Sequence, residues 1–304
     1  MNSYSESLLP YTRMIPATLA EDGSADWVAG RSILAYGVRI GIRTNRPEFL
    51  DQILDHAPPL WKPTPVPFVE RLFSFRLQGA GLRRKSRSPH LLMDDLETVA
   101  KSGSLKTIFE IFEGRLKMYV AEMARRRVFV HAGAVGWQGK AIIIPGHSMS
   151  GKTSLVAELV RAGATYYSDE YTVLDAQGRV HPYPQPLAIR SERTARQVKW
   201  RAEEIGGIVG THPLPVGMVV VSRYKAGSPW RPRHLTSGQA VMALLANTVP
   251  ARRKPEVVLP TLERAVSEAT VLKGVRGEAE ETARLILKRC SSVWAFQATA
   301  QAGN

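Results

Sequence analysis

Residues 146–153 read Gly-His-Ser-Met-Ser-Gly-Lys-Thr. They follow the apolar run Ala141–Pro145 (AIIIP) and precede Ser154–Gly163 (SLVAELVRAG), whose apolar residues recur at helical spacing. The order is a buried strand, a glycine-bounded turn and an amphipathic helix that stops at a glycine. Every fixed position of the pattern G-x-x-x-x-G-K-[ST] is met. The spacing has a physical basis, because a strand that ends in such a turn points its backbone N–H groups inward at the positive end of the next helix, where they surround phosphate oxygens. Gly146 and Gly151 permit the tight turns. Lys152 brings a cation to the terminal phosphates, and the Thr153 hydroxyl is a magnesium ligand. His147, Ser148, Met149 and Ser150 contribute backbone to this cradle, with His147 at a variable position. The chain is therefore expected to bind a nucleoside triphosphate with magnesium.

The neighbouring segments extend this reading. Val128–Trp137 and Lys140–Pro145 are two apolar runs joined at Gln138-Gly139, the signature of a β-hairpin whose second strand enters the loop. After the helix, Ala164–Asp175 (ATYYSDEYTVLD) is strand-like on either side of Asp169-Glu170. One carboxylate of such a pair can hold magnesium and another can accept the proton of an attacking hydroxyl; sequence alone leaves the assignment open. His131, on the strand before the loop, could reach the phosphates or the acidic pair, although a lone strand histidine is more often structural. Arg190, at the end of the proline-dense segment His181–Arg190 (HPYPQPLAIR), is a candidate substrate clamp or a surface cation.

Elsewhere, Ile33–Arg43 alternates as a strand and Pro47 opens a short helix. Val69–Leu77 is strand-like, and the basic stretch Gly79–Pro89 is expected to be exposed. From Leu105 to Arg126 an apolar stripe at spacings of three and four marks a long helix, and a domain boundary is placed near its end. Val216–Ser222 and Ala269–Val275 read as further strands, and Thr236–Ala246 and Glu278–Lys288 as helices. The expected organisation is an N-terminal α/β module, residues 1–126, available for substrate recognition, and a catalytic domain, residues 127–304. The hairpin before the loop predicts a mixed central sheet instead of a purely parallel one.

Composition narrows the classes. Among 304 residues the formal charge is +14, which suits phosphates, acidic peptides or anionic surfaces. The basic clusters at Arg83–Lys85, Arg125–Arg127 and Arg252–Lys254 carry no interleaved aromatic residues, so no nucleic-acid signature is present. No apolar run reaches the ~20 residues of a membrane helix, and the start lacks the order of a secretory signal. The lone Cys290 excludes an internal disulfide and a thiolate metal cage; a reducing cytoplasm fits.

Taken together, the order V-H-A-G-A-V (Val130–Val135), GHSMSGKT, SLVAELVRAGATYYSDE and PYPQPLAIR resembles the C-terminal catalytic domain of the HPr serine kinase/phosphorylase family. It is more similar to the divergent HPr-kinase-like branch associated with modified-peptide and lasso-peptide clusters than to the bifunctional enzyme. The likeness covers residues 129–190. It departs from the family pattern at Met149, Thr153 and Glu170, and the later glycine-rich signature of phosphorolysis is missing. The resemblance implies a fold like that of HPr kinase and phosphoenolpyruvate carboxykinase, with ATP and Mg²⁺ as cofactors. It implies a small protein or peptide bearing a serine as acceptor, and a tendency to form homo-oligomers. It assigns His131, Lys152, Thr153, Asp169 and Glu170 to the site, with an aspartate of the pair as general base. Two alternatives stay open: a small-molecule kinase or other phosphotransferase, and a nucleotide-binding regulatory protein without catalysis.

Overall fold

The computed structural model describes residues 15–16, 27–66, 68–78, 89–146, 150–190 and 197–302. The chain divides into two compact units, Met1–Arg125 and Arg126–Asn304. The basic stretch expected to be exposed lies outside the described residues from 79 to 88.

In the N-terminal unit, β1 (Ala29–Ala35) and β2 (Val38–Thr44) are followed by α1 (Leu50–Leu54), β3 (Lys62–Pro63), β4 (Arg71–Arg76), β5 (His90–Asp94), β6 (Glu97–Ser102) and α2 (Leu105–Met123). The single strand expected over Ile33–Arg43 is instead a hairpin. Tyr36 and Gly37 both take positive φ, 51° and 82°, and this primed-turn geometry reverses the chain within two residues. The sheet order is β3-β1-β2-β4-β5-β6, with β2 and β4 parallel and the other pairs antiparallel. Ser104 caps α2, its side chain accepting the Thr107 N–H at 3.3 Å. The α2 stripe of Ile108, Phe109, Phe112, Leu116 and Val120 is buried. Phe112 meets Phe73 and Phe75 edge-on at ring separations of 5.1 and 4.9 Å.

The C-terminal unit is built on β7 (Val128–Trp137), β8 (Lys140–Pro145), α3 (Lys152–Arg161), β9 (Thr165–Ser168), β10 (Tyr171–Leu174), β11 (Val180–His181), β12 (Leu187–Arg190), β13 (Gln197–Trp200), β14 (Val216–Tyr224), β15 (Arg233–His234), α4 (Ser237–Leu245), α5 (Pro255–Val266), β16 (Thr270–Arg276) and α6 (Ala279–Ala302). Its eight-stranded sheet runs β11-β10-β7-β8-β14-β16-β15, with β9 also on β7. The pairs β8–β14 and β14–β16 are parallel, and the others are antiparallel. This is the mixed central sheet that the hairpin predicted. β12 and β13 form a separate two-stranded ribbon.

Strand alternation distributes the core to both faces of this sheet. Ile142 and Ile144 of β8, with Met218 and Val220 of β14, pack with α3 and α6. Ala141 and Ile143, with Val219, pack with α4 and α5. α6 runs well past Lys288, where the sequence reading ended it. Ala283, Ile286, Leu287, Cys290 and Trp294 continue one apolar face at spacings of three and four, and all are buried. Burial pushes the Cys290 thiol up to about 12, leaving it a core residue with no thiolate chemistry at neutral pH. Among the described residues no helix is long and apolar enough to cross a membrane.

Candidate functional site

The register of the sheet brings the loop and the acidic pair to one place. On one side of β7, Pro145 pairs with Ala132, and the Gly146 N–H then donates to the His131 carbonyl at 3.3 Å. On the other side, Ser168 pairs with Ala134 and Tyr171 with His131. Asp169 and Glu170 therefore stand opposite Ala132 and Gly133, about 10 Å from the start of the loop across two strand spacings. α3 bridges that gap. A Cβ on Gly133 would lie 2.4 Å from Val156 Cγ2, so only glycine lets the helix approach β7 this closely. Thr153, at the start of α3, is close enough to the Asp169 carboxylate for its hydroxyl to favour the ionised form.

Asp169 is buried, and burial raises its carboxyl to about 6 against the Thr153 hydrogen bond and the Lys152 charge, with Glu170 adding to the rise. Lys152 is pushed down by burial, and Asp169 and Glu170 oppose that shift. The Tyr166 phenol donates to the Gln185 carbonyl at 2.6 Å, and burial, then Asp169, holds it far above the ordinary tyrosine range. Glu170, by contrast, is exposed.

Ser168 shapes the turn that presents this pair. Its hydroxyl donates to the Tyr171 carbonyl at 2.5 Å and accepts the Tyr171 N–H at 3.1 Å, closing a loop around Asp169-Glu170. Ser168→Ala leaves that buried N–H and carbonyl without the hydroxyl between them. The expected loss is about 1–3 kcal/mol in a urea titration, with reduced activity from a loosened Asp169. A neutral substitution would contradict the clip.

At the far end of the loop, Gly151 takes φ 86°, a conformation that glycine adopts without strain, and its carbonyl accepts the Leu155 N–H at 3.3 Å as the first bond of α3. Lys152 and Thr153 open the helix, at its positive end. His147, Ser148 and Met149 lie outside the described residues. The His131 ring packs on Tyr171 with centroids 4.7 Å apart, while its main chain binds the loop through the carbonyl and the Asn247 carbonyl through the N–H, at 2.7 Å. Arg190 ends β12 and pairs with Gln197 in the ribbon beyond the proline-dense segment.

Two residues outside the sequence motifs border the loop. Asn247 follows α4, and Thr248 bridges to Val130, so this segment takes the place beside β7 that β8 vacates after Pro145. Arg276, at the end of β16, donates from Nη2 to the Gly151 carbonyl at 2.7 Å. The available signal for Arg276 was its position just past a buried strand, at the carboxyl end of the parallel part of the sheet, where open α/β sheets bind ligands.

Four residues that border or belong to the loop and the acidic pair each carry a buried polar atom without a hydrogen-bond partner among the described residues: Ser150 Oγ, Asp169 Oδ1, Asn247 Oδ1 and Arg276 Nε. Buried polar groups are ordinarily satisfied, and a polyphosphate with a divalent cation would supply acceptors for the donors and positive charge for the carboxylate. Among the described residues no three His, Cys, Asp or Glu side chains assemble into a cation cage. A magnesium ion here would accordingly be shared between protein oxygens and phosphates.

No protein-family model matches the sequence, and no curated protein matches it. Among solved structures, the chain is similar to the HPr(Ser) kinase/phosphatase from Coxiella burnetii, at 13% identity and a TM-score of 0.32 over 55% of this chain and 97% of that one. A likeness this distant carries no statement about activity.

Proposed function

We propose that the chain is an ATP-dependent serine kinase of HPr-kinase-like type, acting on a small protein or peptide in the cytoplasm. The observation that carries the reading is that Thr153, at the start of the helix that opens from the phosphate loop, is placed to act on the buried Asp169 carboxylate. It sets a magnesium-type hydroxyl beside a buried carboxylate at the head of the phosphate loop. Magnesium, when bound, would neutralise charge on the phosphates. Thr153 and the Asp169 oxygen facing it would hold the ion. Lys152 and the N–H groups at the start of α3 would hold the terminal phosphates. Asp169 Oδ1 would take the proton of the acceptor serine as its Oγ bonds to the γ-phosphorus and the bond from that phosphorus to the bridging oxygen of ADP breaks. Glu170, exposed beside Tyr171 and His131, would orient the incoming acceptor, leaving residues 1–126 to recognise it.

The test is incubation of the full chain with γ-labelled ATP, Mg²⁺ and a panel of serine peptides and small proteins, including products of neighbouring genes. Phosphoserine formation that depends on Asp169 is the expected result. ADP release driven by a metabolite instead would favour a small-molecule kinase, and ATP binding with no transfer across the panel would count against any kinase.

A further inference from the structure

Arg276 is 2% exposed and surrounded by main chain and one ring. Nη1 donates to the Gly277 carbonyl at 2.9 Å and Nη2 to the Gly151 carbonyl at 2.7 Å, while the guanidinium carbon lies 5.3 Å from the centre of the Tyr224 ring. Nε is buried without a partner. Among the described residues no carboxylate forms an ion pair with it. Glu278, the acid that acts on it electrostatically, accepts a hydrogen bond from the Tyr224 hydroxyl at 3.1 Å. Buried guanidinium groups are ordinarily paired, because taking a charge out of water costs more than carbonyl contacts return.

The position of this cation explains what it can do. In a trans peptide the C=O and the following N–H point in opposite directions. Holding the Gly151 carbonyl toward Arg276 therefore turns the Lys152 N–H the other way, out of the helix start and into the loop. Gly151 takes φ 86°, and a Cβ there would lie 2.5 Å from Nη2. Arg276 thus helps orient the Lys152 N–H and adds a buried positive charge beside it, with no carboxylate among the described residues in direct contact.

We propose that Arg276 is a positioning residue of the phosphate loop, locking Gly151 and supplying the second fixed cation, after Lys152, that sets the affinity of the loop for a polyphosphate. The inference rests on the loop being a phosphate site and is independent of what the chain phosphorylates. Its test is calorimetric binding of inorganic tripolyphosphate with Mg²⁺ to the full-length wild type, Arg276→Lys and Arg276→Met, with thermal unfolding of each. Arg276→Met should lose about ten-fold or more in affinity, the scale of one charge-assisted hydrogen bond, while Arg276→Lys keeps most of it at a similar cost in melting temperature. If Arg276→Met does not fold, Arg276→Gln, which can still donate to Gly151 without charge, takes its place with the same expected loss. Equal affinity in the neutral variant and wild type, or equal losses in Lys and Met variants in step with melting temperature, would overturn the proposal. Tripolyphosphate binding without phosphoryl transfer to any acceptor would remove the kinase reading and leave the inference standing. No binding by the wild type would remove both.

Discussion

Asp169→Asn should abolish phosphoryl transfer, by about 10²–10⁴-fold or more, and yet make the nucleotide-free protein more stable at pH 8. The two effects share one cause. The carboxyl is buried and raised from 3.8 to about 6, so keeping it ionised at neutral pH costs folding free energy. The sign follows from proton counting. Between about pH 4 and pH 6 the folded state binds more protons than the unfolded state, and wild-type stability falls as pH rises through that window. Above it the full cost, on the order of 3 kcal/mol for a shift of this size, is present. An amide does not ionise. The Asn variant should therefore melt several degrees higher than wild type at pH 8, with the gap closing toward pH 4. The charged neighbours Lys152 and Glu170 remain in both proteins, which leaves Asp169 as the difference between the curves. In magnesium-free protein the wild-type carboxylate should titrate near pH 6. Thermal melts across this range check the stability claim, and a variant less stable than wild type at pH 8 would refute it.

Gly133→Val should disable the site without touching a polar group. The new Cβ would sit 2.4 Å from Val156 Cγ2 and 3.6 Å from the Ser168 carbonyl oxygen, between α3 and the strand that carries the acidic pair. Overpacking of this kind costs about 1–3 kcal/mol and occasionally more, and β-branching places this substitution at the upper end. The route of relaxation matters for function. Moving α3 outward carries Lys152 and Thr153 away from Asp169, so nucleotide affinity should fall more steeply than stability alone requires. Gly133→Ala should show the same two effects, less strongly. Urea titrations with parallel ATP binding separate them; a Val variant with wild-type midpoint and affinity would show that the helix is not held this close.

The features legible in sequence are those encoded by local periodicity and turn chemistry. Gln138-Gly139 between two apolar runs specified the β7–β8 hairpin, and with it the mixed sheet. Gly146–Thr153, held between a buried strand and an amphipathic helix, specified where α3 begins. The acidic pair was placed between two strand-like segments, which became β9 and β10 on the same edge of β7. Tyr36-Gly37 escaped notice because Tyr36 takes a positive φ that its residue type seldom adopts, so the hairpin looked like one long strand. α5 was equally hidden, since Pro260 inside it reads as a helix breaker.

What sequence could not supply were contacts set by the crossover connections of the sheet. Arg276 reaches Gly151 across 125 positions because β14 lies between β8 and β16. Asn247 reaches β7 only because the chain leaves α4 where β8 has just turned away. Ser168 was in view as part of the strand, but its role depends on the return of Tyr171 to its hydroxyl. Each is a consequence of register and topology, which no residue pattern within one segment encodes.

Gly146–Thr153 and Asp169 are proposed together to bind a magnesium–nucleotide complex. The most direct test is calorimetric titration of ATP into the full-length protein, with and without Mg²⁺, beside Lys152→Ala. Mg²⁺ should strengthen wild-type binding and Lys152→Ala should weaken it by about 10–100-fold, with the fold intact. Equal affinities in the two proteins, unaffected by Mg²⁺, would contradict it.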